Sequence, residues 1–244
     1  MKRVLFFALF LPLFLACNNE DEDFEQSYVE MGTIENSAQL TTFVFNQDDN
    51  TRLKITNSDI KYYRPKHGQR VIMEYVVLPY LGFASSYQYE VKMLDVYEIL
   101  TKGIFNITNA TQDSIGNDAL GIRDIWVSND YLNIDFVYPG YSKMHFISLV
   151  KDASKTYTDG KVHLELRHNA NDDYPSVYMN GLVSFNLSTL RVNGSNSVDF
   201  VLHTKEFNHE DGERTHNITY KYGISSTLSP AKVIAIPERK AIVK

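Results

Sequence analysis

Apolar and polar side chains alternate with a period of two along most of this chain, and a helical period is nearly absent. Successive side chains of a strand point to opposite faces, so the alternation predicts half-buried β-strands with one face on a core. In the first half it predicts strands over 27–34, 40–45, 52–56, 69–79 and 87–101. Several are long enough to bend around a small barrel, and Gly68 and Gly82 lie beside the fourth, where turns or tight corners want glycine. Five strands of this length suit an OB-like barrel, a count shared with other small β-barrels.

Over 106–120 the pattern lapses into residues rich in Asn, Asp, Thr and Gly, which reads as a linker. Strands then resume over 122–128, 131–138, 143–151, 161–168, 177–187, 197–204 and 215–222. Short turns between strands over this length have the spacing of a β-sandwich. Val162, Leu164 and Leu166 share one face, with His163, Glu165 and Arg167 on the other; Leu132, Ile134 and Phe136 likewise oppose Asn133 and Asp135. Asn129-Asp130 is the right length for a hairpin turn. The fold class is therefore all-β: an N-terminal OB-like barrel over 27–105, a linker over 106–120 and a C-terminal β-sandwich over 121–240.

The N-terminus breaks the alternation. Lys2 and Arg3 precede an apolar run over 4–15, interrupted only by Pro12, and Ala16 offers a small residue for cleavage. These are the parts of a signal peptide, 1–16. The run is shorter than the roughly twenty residues a membrane-spanning helix needs. Cys17, the only cysteine, follows at once, and Phe14-Leu15-Ala16-Cys17 resembles a bacterial lipobox. That resemblance implies acylation of Cys17, palmitate being the usual chain, and anchoring to a membrane through the N-terminal lipid. The competing reading is an ordinary secretory peptide with a chance cysteine. Next comes NNEDEDFE, with five carboxylates in eight positions, within a tether spanning 17–26. Such a run repels itself and buries no apolar area. It also resembles the surface-export signal of Bacteroidetes lipoproteins. This implies lipid anchoring in the outer membrane with exposure at the cell surface, the periplasmic face being the alternative.

Without the signal, about 228 residues remain, 43% of the whole chain is hydrophobic, and no thiol is left for a disulfide. A body of this size forms a core and is held by packing and strand pairing alone. The formal charge of −6 sits largely in the tether, and no basic stripe tracks a phosphate backbone, so nucleic acid is not an expected partner.

Three words are more specific: DIWVSNDYLNIDF (124–136), LELRHNANDD (164–173) and VSFNLSTL (183–190). In order and spacing they resemble the NigD-like lipoprotein family of Bacteroidetes. The resemblance covers nearly the whole mature chain and implies an OB domain followed by a β-sandwich. The family takes its name from a member suspected of bacteriocin immunity, and it brings no catalytic residues with it.

Arg167, His168, Asp172 and Asp173 are the candidates for polar ligand contacts, gathered at one end of the sandwich. Against this, alternation puts His168 on the apolar face of Leu164 and Leu166, and 169–173 reads as an exit turn whose side chains bond nearby amides. No HExxH or G-x-S-x-G spacing occurs, and His209, Glu210, Asp211 and Glu213 read better as a turn at Asp211-Gly212 than as ligands. No metal, cofactor or catalytic residue is assigned. Tyr62, Tyr63, Tyr75, Tyr80, Tyr87, Tyr89 and Tyr97 crowd the barrel half. They read either as a stacking face for sugars or simply as good strand formers. Trp126 reads as core. Asp113-Ser114-Ile115 resembles the O-glycosylation sequon of Bacteroidetes, which makes Ser114 a candidate acceptor. The expectation is a non-enzymatic interaction module that meets a protein or glycan at the cell surface. The alternative is a glycan-binding protein or a polysaccharide-acting enzyme, which would need a carboxylate pair across a cleft.

Overall fold

The computed structural model describes residues 26–36, 43–79, 87–207 and 212–222. Cys17, the tether up to residue 25, Tyr80, Gly82, His209, Glu210 and Asp211 lie outside them. Strands β1 (Ser27–Asn36), β2 (Phe43–Gln47), β3 (Arg52–Ser58), β4 (Gln69–Val77) and β5 (Tyr89–Glu98) form a closed barrel in the order β1-β2-β3-β5-β4. All pairs are antiparallel except β3 with β5. Alternate residues fill the interior, among them Ile34, Phe45, Leu53, Val71, Met73 and Val91. Gly32 allows β1 and β2 to meet closely: a Cβ there would lie 2.3 Å from the Asn46 carbonyl oxygen.

The sandwich has two sheets. The first is ordered β14 (Glu213–Lys221), β13 (Ser197–Lys205), β11 (Val162–Asn169), β10 (Phe146–Asp152), β7 (Ile104–Ile107). The second is ordered β6 (Leu100–Lys102), β12 (Val177–Asn186), β9 (Tyr131–Gly140), β8 (Gly121–Ser128). Their inner faces bury Leu132, Ile134 and Phe136 of β9 against Leu164 and Leu166 of β11. Asn129 turns the β8–β9 hairpin at φ 49°, the left-handed conformation that asparagine tolerates.

Two sequence expectations are corrected. The long strand expected over 87–101 breaks at Ile99, whose N–H donates to the Arg70 carbonyl; β6 beyond it belongs to the sandwich and runs parallel to β12. The segment 106–120 is not a free linker. Ile107 ends β7, α1 (Gln112–Ile115) follows, and the Asp118 and Leu120 amides donate to the carbonyls of His168 and Lys205. The backbone groups of this segment find partners on the sandwich, and Leu120 is buried in its core.

The two bodies pack through Met31, Ile72 and Ile99 against Leu182, with Tyr97 and Trp126 beside them. Trp126 thus lies in the contact between the domains rather than in the sandwich core. Arg70 of β4, with no exposed surface, is the polar centre of this contact. Its Nη2 donates to Asp48 Oδ2 at 2.8 Å and to Asn133 Oδ1 at 3.2 Å, and its guanidinium lies 4.6 Å from the Tyr131 ring centre. Asn133 also accepts from Ser184 and donates to Ser128, which donates to Asp48, closing a ring of bonds across the interface.

Candidate functional site

Alternation along β11 separates the residues of LRHN. Arg167 projects to the outer face of the five-stranded sheet, into a cleft of about 200 Å3 that Lys155, Glu165, His203 and Glu213 also line. There its Nε donates to the Gly116 carbonyl at 2.7 Å and its Nη1 to Glu165 at 3.0 Å, while Lys155 takes the other Glu165 oxygen. Arg167 is therefore a strut that holds the α1 segment on the sheet. Glu165, one of the two carboxylates lining the cleft, has both oxygens engaged by cations. Beside the cleft, His163 and His203 face each other at 2.8 Å, and Tyr157 stacks on His163 with ring centres 3.5 Å apart. No group of three or more His, Cys, Asp or Glu residues among the described ones is arranged to hold a metal ion.

His168 points the other way, into the sandwich. Its Nε2 lies 2.9 Å from Nδ1 of His145, whose Nε2 lies 3.2 Å from Asp173 Oδ2. All three side chains are buried; that of Asp173 is 2% exposed. Burial and the neighbouring His145 push the His168 imidazole down to about 4. Burial alone would raise the Asp173 carboxyl. Donation from the backbone amides of Tyr141, Ser142 and Lys143 and from His145 outweighs that and holds it well below the usual carboxylate range. With Asp173 accepting, the His145 hydrogen sits on Nε2. His145 Nδ1 and His168 Nε2 share the next hydrogen bond of the row.

This buried row fastens two loops together. Asp173, in the β11–β12 loop, accepts from the Tyr141 and Ser142 amides of the β9–β10 loop, and Lys143 Nζ donates to the carbonyls of Asn171 and Asp172. Asn171 and Asp172 adopt left-handed φ values of 54° and 52°, and the Asp172 carboxylate is exposed. Of the four residues the sequence singles out, the structure joins His168 to Asp173 through His145 and leaves Arg167 and Asp172 apart. His145 escaped the sequence reading, although it shares strand parity with the buried Ile147 and Leu149.

The fastened loops carry exposed aromatic residues. Tyr141 is 68% exposed and Tyr174 72%; at the adjoining start of β12, Val177 is 54% and Tyr178 70% exposed. Phe207 packs on Tyr178 with ring centres 5.6 Å apart. Monomeric domains seldom expose such a group without a use for it. β9 places this end about 30 Å, at roughly 3.3 Å per residue, from the β8–β9 turn that abuts the barrel. The barrel tyrosines the sequence singles out, by contrast, are scattered among the described residues. Tyr75 is in the barrel core, Tyr97 is in the domain contact, Tyr87 bonds Glu90, and Tyr62 stands 90% exposed on a loop. Ser114 is exposed on α1, its hydroxyl donating to the Thr111 carbonyl at 2.8 Å.

Two family models match the chain: the NigD-like N-terminal OB domain over residues 31–99 and the NigD-like C-terminal beta sandwich domain over 103–220. Among solved structures, a protein of unknown function from Bacteroides vulgatus is 25% identical with a TM-score of 0.70, covering 85% of this chain and 96% of that one. A protein described as toxin-related from Parabacteroides distasonis is 27% identical with a TM-score of 0.68, covering 81% and 95%. A NigD-like immunity protein from Bacteroides caccae shares the fold at 16% identity and a TM-score of 0.59, covering 80% and 96%. No curated protein matches the chain.

Proposed function

The chain belongs to the NigD-like family, and from that premise we propose that it is a lipid-anchored interaction module of the cell envelope, without catalytic activity, that binds a protein partner at the cell surface. The observation that carries this reading is the aromatic end of the sandwich. Tyr141, Tyr174 and Tyr178 hold large, stiff, amphipathic rings in solvent, the residue type over-represented where proteins meet. The Asp173–His145–His168 row holds their loops in place, so little ordering entropy is left to lose on binding. The tether enters the barrel at β1, and the aromatic end lies at the far side of the sandwich strand β9 from that barrel. The names of the relatives, one toxin-related and one an immunity protein, make a bacteriocin the partner to test first.

A photo-crosslinking residue placed at Tyr141, Tyr174 or Tyr178 tests the surface in the native host, with Tyr62 on the barrel as the control. Adducts of one mass at the three sandwich positions and none at Tyr62 are expected. Equal labelling at all four positions, or none at any, removes the proposal.

A further inference from the structure

We propose that the groove between the outer face of the barrel and the β8–β9 turn is a second binding site, one for an uncharged carbohydrate chain. The groove has a volume of about 390 Å3, within the range of about 300–1,000 Å3 that holds small organic ligands. One wall is a row of polar side chains in register across three strands: Thr33 pairs with Asn46, and Asn46 with Arg52. The other wall is the turn residues Asn129, Asp130 and Tyr131.

The chemistry of the walls selects the ligand class. Each charge in the groove already has its opposite: Arg52 pairs with Glu35 at 3.1 Å, and Asp130 with Arg191 at 2.5 Å. A polyanion would find no net positive charge here, which disfavours nucleic acid and acidic polysaccharide. Hydroxyl groups both donate and accept, and here amides offer both functions, the guanidinium donates and the carboxylate accepts. Arg52 gives Nε to Asn46 at 3.0 Å, and Asp130 Oδ1 takes hydrogen bonds from Arg191 and Tyr220. Among the described residues no hydrogen bond uses Asn46 Nδ2 or Asp130 Oδ2, so a donor and an acceptor remain on opposite walls.

A peptide is the weaker fit. Peptides that add to a sheet need an open edge, and the backbone of β2, whose Asn46 stands at the centre of the polar row, is paired on both sides within a closed barrel. Recognition here must come from side chains alone. The groove is also preformed. Arg70 Nη1 donates to Thr33 Oγ1 at 3.3 Å and the Arg70 guanidinium lies against the Tyr131 ring, so the bonds that lock the domains together also set both walls.

The test presents the mature chain to an array of neutral and acidic glycans and measures the strongest neutral ligand by calorimetry. Asn46→Ala and Arg52→Ala should each weaken binding about tenfold, roughly the effect of one or two lost hydrogen bonds, with melting unchanged. Tyr178→Ser, on the separate aromatic end, should bind as the parent does. Amide signals of Asn46 and Asn129 in the unaltered chain should shift on addition of that glycan. The proposal is overturned if no neutral glycan binds, if acidic glycans bind best, or if both groove variants bind like the parent with those signals unmoved.

Discussion

Arg70 of the barrel and Asn133 of the sandwich share a hydrogen bond of 3.2 Å, and neither side chain has any exposed surface. The bond matters because Asn133 has no substitute: its amide also joins Ser184 and Ser128, and through Ser128 reaches Asp48. The two domains are therefore coupled by a buried polar network as well as by the apolar contact around Ile72 and Leu182.

Asn133→Ala should cost about 2–3 kcal/mol, because it leaves a buried guanidinium nitrogen and the Ser184 hydroxyl short of acceptors. Urea unfolding should follow one transition in the parent and resolve into two in the variant as the domains uncouple. A single transition at the parent's midpoint would show that the network couples nothing.

Acid should loosen the sandwich end before it unfolds the barrel. The His168 value is depressed to about 4 in the folded chain, against about 6.5 when unfolded. The folded state therefore binds fewer protons, and stability present above pH 6.5 falls as pH drops toward 4. The loss at that lower limit is about 3 kcal/mol. Asp173, also held below its ordinary range, adds a loss of the same sign at lower pH still. Urea midpoints measured from pH 7 to pH 4.5 in the parent and in His168→Met give the comparison. The decline should be shallower in the variant; identical slopes would contradict the assignment.

The proposed lipid anchoring rests on Cys17. Cys17→Ala should release the protein from the membrane fraction or leave the precursor uncleaved. Unchanged fractionation and processing would remove the lipoprotein reading.

The acidic tether tests the surface address separately. With Glu20, Asp21, Glu22 and Asp23 replaced by neutral residues, the fold should be retained. Protease added to whole cells should then digest the parent and spare the variant, whereas equal digestion of both would leave the tether as a spacer only.

Ser114 is proposed as a glycan acceptor, since α1 holds it exposed on the surface of the sandwich. Protein from the native host should carry mass beyond polypeptide and lipid, and Ser114→Ala should lose it. Extra mass retained in the variant would place the glycan elsewhere.

The alternation of apolar and polar residues by itself determined most strands, because side-chain facing in a strand is local and needs no knowledge of the partner. It put Leu164, Leu166 and His168 on one face and Arg167 on the other, and Asn129-Asp130 in a turn, as the structure has them. The same local signal says nothing about pairing across long separations. It therefore missed that β6 runs beside β12 and β7 beside β10, which moves the expected end of the barrel into the sandwich. The meeting of Asp173 with His145, of Arg70 with Asp48 and Asn133, and of the Asn46 row with the Asn129 turn likewise arose only in the tertiary structure. Each joins residues from elements distant in sequence, and polar side chains leave no periodic trace of the partner that packing brings to them.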